Sequence, residues 1–427
     1  MKISSILKNR VVNNAKWMVG EQLIQMIISF VISMITARYL GPSNYGIINY
    51  CAAYVAFFTS ICSLGLEGVL VNELVTKPEK EGEFVGTALA MRVLSSLFSI
   101  ISISIILLIV DKGNTTVMTV GFLQSLVLLF KAFEVLDFWF QSKLQSKYVA
   151  IVKIISYILV AVYKVYILAT KKPVQWFAFS TSLDFLIIAV LLVFVYKGKK
   201  GPKIKVKFSL AKYLLKNSYH FIISGLFVTV YMQIDRILIQ KFLGDAQVGY
   251  YSIATNIFSY WTLVTTAIIN AARPSIMVKR KDNYNEYIKR LKQLYAVLIW
   301  LSFAAAIFFT VFGNFVIPLL YGAEYKASVP LTAITMWYSA FSVLGTARGI
   351  WLVCESKASY VKYFMLMGAV TSITLNLILI PRLGAVGAAI TSFITQLVTS
   401  VIAPLFFKET RVHTRYIFEA MFFKGIR

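Results

Sequence analysis

Five cations fall inside stretches of this chain that are otherwise apolar: Arg92, Lys131, Lys164, Arg236 and Arg348. A charge in such a setting costs about 3 kcal/mol at the centre of a bilayer unless it faces water, a partner or the interface. Guanidinium and ammonium groups held there can replace the water shell of a multiply charged anion with charge-assisted hydrogen bonds. Arg suits two-pronged contact and Lys acts as a point charge. Lys131 lies well inside its stretch, with Glu134 three residues on along the same helical face. Such a spacing also suits a self-satisfied pair. Arg236 adjoins Asp235, and Arg348 precedes Glu355 by seven residues. Arg92 and Lys164 sit nearer the ends of their stretches, where long side chains snorkel to the interface. Arg273, just before Pro274, marks the rim of the same cationic interior or a lipid-headgroup contact. The acids Glu21, Asp184, Asp235 and Glu134 are candidates for exchanging a proton or holding a cation, because burial raises a carboxyl pKa. Their alternative role is to neutralise a neighbouring base. Glu67 and Asp137 read as residues that set helix ends.

Enzyme chemistry finds no support. No nucleotide-binding loop, nucleophile–base pair or metal-ligand spacing is present, so no cofactor is expected beyond a coupling ion. Cys51 and Cys62 are eleven residues apart in one stretch. At about 1.5 Å rise per residue they are too distant for a disulfide. His220 and His413 are isolated.

The elements that must position these charges are about twelve apolar stretches, each near twenty residues, over 17–40, 45–66, 86–110, 117–140, 149–169, 174–196, 213–242, 249–272, 293–313, 328–353, 360–380 and 384–407. A stretch of that length crosses the ~30 Å hydrocarbon core of a bilayer as one helix. The chain is 59% hydrophobic and 14% charged, against about 25% charged for soluble domains. The expected class is therefore all-α integral membrane. The net charge of +25 does not indicate nucleic-acid binding. Of 43 Lys and Arg residues, 31 fall in alternate turns and at the two termini, and 7 in the other turns. That asymmetry is the positive-inside pattern, which places both termini in the cytoplasm and favours anionic lipid headgroups as neighbours. Ile3, Ile6, Leu7 and Val11 share one face of an N-terminal basic segment, which suggests an interfacial helix, the alternative being a frayed basic tail. Trp139, Trp176, Trp261, Trp300, Trp337 and Trp351 fall near stretch ends and read as interfacial anchors.

Residues 197–212 form a linker rich in Lys, Gly and Pro, expected to be mobile, between a six-span lobe (1–196) and a second six-span lobe with a basic tail (213–427). The lobes resemble one another: Arg38-Tyr-Leu-Gly-Pro-Ser-Asn-Tyr-Gly46 matches Lys241-Phe-Leu-Gly-Asp-Ala-Gln-Val-Gly249 at an offset of 203. An even number of spans per lobe gives both the same orientation. The expectation is pseudo-twofold symmetry about the membrane normal, with a central cavity between rocking lobes.

These motifs resemble the multidrug, oligosaccharidyl-lipid and polysaccharide exporter superfamily, and within it the bacterial flippases for O-antigen or capsule repeat units. The Arg38–Gly46 turn is similar to that family's first outer loop. Gln233-Ile-Asp-Arg-Ile-Leu-Ile-Gln-Lys-Phe-Leu-Gly-Asp-Ala-Gln-Val-Gly-Tyr250 is similar to its seventh span and following turn. Asp137-Phe-Trp-Phe-Gln-Ser-Lys-Leu-Gln145 resembles the end of its fourth span, with Ser142 where the family usually has glycine. Pro381-Arg-Leu-Gly-Ala-Val-Gly-Ala-Ala389 resembles the entry to its twelfth. The resemblance covers essentially the whole chain. It implies a multi-pass protein of the bacterial inner membrane that moves an undecaprenyl-diphosphate-linked oligosaccharide, for capsule, exopolysaccharide or the O-antigen of lipopolysaccharide, to the outer leaflet. It also implies alternating access driven by a proton or sodium gradient, alongside other polysaccharide assembly proteins. In that reading Lys131, Arg236, Arg348, Arg92 and Arg273 meet the diphosphate. Drug or cation antiport within the same superfamily is the main alternative. A membrane polysaccharide polymerase or ligase is the other, and the short outer turns speak against its usual large outer loop.

Overall fold

The computed structural model describes residues 2–425, with side chains described at Asn14 and from Trp17 onward. The expected interfacial face of Ile3, Ile6, Leu7 and Val11 lies outside the described residues. The described residues are almost wholly helical, and no strand occurs among them. Hydrocarbon offers no water to backbone N–H and C=O groups, and a helix satisfies them within one segment. Among the described residues, ten stretches are long and apolar enough to cross a bilayer by length and composition, where twelve were expected. The first, Trp17–Thr76, takes in both of the expected spans 17–40 and 45–66. The expected span 328–353 is a helix, Ser328–Cys354, whose Ser, Thr and Arg content keeps it outside the ten.

Helix α1 (Lys2–Cys62) breaks at Gly41, with φ 69° and ψ 172°, ahead of Pro42. Gly244, between α8 (Phe208–Leu243) and α9 (Asp245–Asp282), has nearly the same backbone, φ 84° and ψ −179°. Side chains exclude other residues from this region. The two matched turns of the sequence thus share one conformation. They also pack on each other. A Cβ on Gly46 would lie 1.8 Å from the carbonyl oxygen of Asp245, and a Cβ on Gly249 2.1 Å from that of Pro42.

Contacts divide the chain into two compact units, Met1–Leu40 with Ile47–Thr229, and Gly41–Gly46 with Val230–Arg427. The first unit contains α2 (Leu66–Thr76), α3 (Glu81–Val110), α4 (Thr115–Lys131), α5 (Val135–Ser142), α6 (Ser146–Ala169) and α7 (Val174–Gly198). Its core gathers Leu66, Leu70, Phe84, Val135, Phe140 and Leu192. Trp139 is buried there and donates to Glu81 at 2.8 Å, so it is not an interfacial anchor. The stretch after α7 is held rather than mobile. Lys205 N donates to Gly82 O and Lys207 N to Thr87 Oγ1, both at 3.0 Å, along the first turns of α3.

The second unit contains α10 (Tyr284–Tyr321), α11 (Ser328–Cys354), α12 (Val361–Leu383), α13 (Ala385–Leu397) and α14 (Arg411–Met421). Asn283 caps α10 through Oδ1, accepting from Glu286 N at 3.1 Å. A π-helical segment, Val398–Ile402, follows α13. The core packs Leu291, Tyr295, Leu298, Leu344 and Phe364 with Trp351, which is fully buried and again no anchor. Trp176, Trp300 and Trp337 are exposed, as anchors are.

Candidate functional site

In the second unit, α8, α9, α11 and α13 line a cavity of about 270 Å³. Asp235 and Arg236 lie on adjacent residues of α8, and both line it. Asp235 is 2% exposed. Its Oδ2 accepts from Ser392 Oγ at 2.7 Å and from the Tyr251 hydroxyl, and its Oδ1 accepts from Asn376 Nδ2. All three donors are neutral. The Arg236 guanidinium points elsewhere: Nη1 donates to Gln233 Oε1 at 2.7 Å and Nη2 to Thr255 Oγ1 at 2.9 Å. The expected mutual neutralisation of Asp235 and Arg236 is therefore not made by a direct ion pair. Asn376 Oδ1 and Arg236 Nε are buried without a hydrogen-bond partner. Orphaned buried atoms of this kind cost about 1–3 kcal/mol each and persist where something else completes them. Tyr231, Thr262, Tyr338 and Gln396 extend the polar lining.

The other residues singled out by charge go to different places. Glu134 pairs not with Lys131 but with Arg92, across from α3, at 2.9 Å. The helix tightens into a 3-10 turn at Ala132–Glu134, and Arg92, buried on α3, takes the carboxylate. Lys131 Nζ instead lies 5.0 Å from the centre of the Phe185 ring. Arg92 and Glu134 line a smaller cavity of about 250 Å³ in the first unit, with Glu67 and Phe138. Along α6, Tyr157 donates to Glu21 at 2.9 Å, Ser156 to Asp184, and Lys153 bonds Asp137 at 3.0 Å. Glu21 and Asp184 each keep one hydroxyl partner and form no direct ion pair among the described residues. Arg273 is exposed on α9 and does not line the 270 Å³ cavity.

Arg348 does not line that cavity either. It is 2% exposed, stacks over Phe364 at 4.5 Å, and donates from Nη1 to Thr399 O at 2.6 Å. Thr399 belongs to the π-helical segment, whose irregular turn frees a carbonyl from the helix ladder. His413, from α14, packs nearby on Trp351, and its Nε2 meets the Tyr295 hydroxyl at 2.8 Å. Burial, and then the Arg348 charge, push the His413 imidazole well below its ordinary pKa. Glu355, which the spacing offered as a partner for Arg348, bonds Arg280 at 2.9 Å. Arg348→Ala is expected to cost about 3 kcal/mol through the cavity and the lost bond. A lowered melting midpoint of the purified protein, with transport per folded molecule unchanged, checks that role. Loss of transport at an unchanged midpoint would contradict it.

Charge alone missed Tyr251, Asn376, Ser392, Thr255 and Gln233. Their signal was weaker: neutral polar residues inside apolar stretches, with Ser372 and Asn376 one turn apart on α12.

Residues 35–330 match the polysaccharide biosynthesis protein family. The chain is 21% identical over 410 residues to the capsular polysaccharide biosynthesis protein CapF of Staphylococcus aureus, covering 93% of this chain and 99% of the relative. Among solved structures it is similar to the lipid II flippase MurJ in an inward closed conformation, with a TM-score of 0.74 and 14% identity over 96% of this chain and 90% of that one. It is also similar to an inward-facing multidrug resistance MATE family transporter, with a TM-score of 0.70 and 12% identity over 94% and 99%. These likenesses establish a shared membrane fold.

Proposed function

We propose, from the premise that this chain belongs to the polysaccharide biosynthesis protein family, that it is a flippase for lipid-linked polysaccharide precursors. It is a multi-pass membrane transporter, not an enzyme. Its cargo in this reading is an oligosaccharide repeat unit on undecaprenyl diphosphate, carried from the cytoplasmic to the outer leaflet of a bacterial inner membrane by alternating access. Both termini lie on the cytoplasmic side, where the positive charge of the turns is concentrated. The drug-antiport alternative rests on likeness of fold alone.

The observation that carries this reading is the division of labour on α8. Arg236 presents a guanidinium to a hydroxyl-lined cavity, and Asp235 beside it is satisfied only by neutral groups. The guanidinium, with its unpartnered Nε, suits a phosphate oxygen that has shed water. A carboxylate with no direct counter-ion suits a proton or a sodium ion, which the idle Asn376 Oδ1 would help to hold. Substrate charge and coupling charge then meet one residue apart. Lys131, Arg92 and Arg273 are reserve contacts for the diphosphate, and Glu21, Asp184 and Glu134 reserve coupling sites. In Arg92 and Glu134 the two roles are already spent on each other.

Deletion of the gene should make the lipid-linked oligosaccharide accumulate on the cytoplasmic leaflet, as read by leaflet-specific labelling of the sugar. Wild-type protein should clear it, Arg236→Ala should not, and Arg236→Lys should clear it partly, since two-pronged contact is lost. No accumulation on deletion would reject the flippase reading. Accumulation cleared equally by Arg236→Ala would reject the cavity assignment only.

A further inference from the structure

A second concavity lies away from the cavity just described. It is a groove of about 440 Å³ along the hairpin of α9 and α10. Its polarity runs in one direction. The hairpin turns at Asn283. At about 1.5 Å per residue, Glu286 lies about 5 Å from that turn, Arg290 about 10 Å and Ser275 about 12 Å, whereas Ile268 and Val297 lie about 21 Å away. The polar side chains, Gln293 at about 15 Å being the last of them, therefore lie on the side nearer the turn, which they share with Ile276, and only Ile268, Ala272, Leu294 and Val297 line the end that enters hydrocarbon. Arg290 is held at the junction: Nε donates to Glu286 Oε1 at 3.0 Å and Nη1 to Ser275 Oγ. Those bonds leave Nη2 for a further acceptor, and the side chain stays 36% exposed. Residues 273–292 carry seven basic and two acidic residues. Arg273, Lys281 and Lys289 form no ion pair among the described residues, whereas Arg280 and Lys292 are engaged by Glu355 and Glu419.

We propose that this groove is a binding site for one anionic glycerophospholipid. The phosphate meets Arg290 Nη2 and the surrounding positive field, and one acyl chain lies on Ile268, Ala272 and Val297. The commitment to lipid follows from the gradient. A soluble anion would have no use for an apolar floor, and a polar peptide would not enter hydrocarbon. The commitment to an anionic headgroup follows from the excess of seven basic over two acidic residues. This site is independent of the transported cargo.

The test uses the purified full chain in detergent, offered phosphatidylglycerol and phosphatidylcholine of identical chains, with retained lipid read by native mass spectrometry. Phosphatidylglycerol should be preferred by roughly tenfold. Arg290→Ala should bring the preference to parity, and Arg290→Lys should keep most of it. Ala272→Phe, which fills the floor and leaves the charge, should lower retention of both lipids. A photoactivatable phosphatidylglycerol should label peptides of α9 and α10. Equal retention of the two lipids by the wild type, or an undiminished preference in Arg290→Ala, would overturn the proposal. So would displacement of phosphatidylglycerol by undecaprenyl phosphate, which would mark the groove as a substrate site, or by inorganic phosphate alone.

Discussion

Replacing Asp235 by Asn is expected to uncouple transport from its driving gradient while leaving the protein folded. The exchange keeps size and shape and removes the one charge in the nest. Asn can still accept from Ser392 and Tyr251, which now bond Asp235 Oδ2. A single-site coupling free energy is typically about 1–3 kcal/mol, so the gradient-driven rate should fall by roughly 5- to 150-fold. The assay is reconstituted vesicles with an imposed proton or sodium gradient and a fluorescent lipid-linked sugar. Ser392→Ala removes one donor and leaves the charge, and its effect should be several-fold smaller. If the Asn variant follows the gradient as the wild type does, Asp235 does not couple.

The second large effect is structural. Gly249→Leu should abolish folded protein. A Cβ there would fall 2.1 Å from the Pro42 carbonyl oxygen, and the obstruction is backbone, which cannot rotate away. Overpacking against movable side chains costs about 1–3 kcal/mol, and a rigid contact of this kind exceeds that range. Set against a total stability of about 5–15 kcal/mol, little native protein should remain. Gly46→Leu should fail in the same way, because its Cβ would meet the Asp245 carbonyl oxygen at 1.8 Å. Gly68→Ala, where a Cβ meets nothing within 4 Å, serves as the control and should leave yield unchanged. Membrane yield and gel-filtration profile read all three. A monodisperse Gly249→Leu protein at wild-type yield would contradict the described packing of the two turns.

Fold class was legible because hydrocarbon imposes it. Long apolar runs between short polar turns admit few structures other than helices, and the repeated Leu-Gly turn was visible as spelling before its shared backbone conformation was known. The expected stretches 328–353 and 17–40 with 45–66 correspond to the helix Ser328–Cys354 and to the two parts of α1 on either side of Gly41; the first falls just short of the ten apolar helices and the other two run together within one of them.

Asp235 and Arg236 were legible as candidates because charge in an apolar run is conspicuous whatever surrounds it. Their separate hydrogen-bond partners were not. Whether an acid meets its neighbouring base or a ring of neutral donors depends on which helices lie alongside, and Ser392 and Asn376 are 157 and 141 residues away. The same limit misdirected three other readings. Glu134 has Lys131 near in sequence, yet the packing of α3 alongside gives it to Arg92. Arg348 has Glu355 one helical face along, yet a π-helical carbonyl claims it. The Lys-rich linker has the composition of a mobile chain, yet Gly82 and Gly86, lacking side chains, let its backbone lie against α3. Composition and periodicity determined by themselves that this is a helical membrane protein with charge stored inside it. Only the tertiary structure decided which charges are paired, because partners across a bilayer are chosen by helix packing, a long-range property that local spacing does not encode.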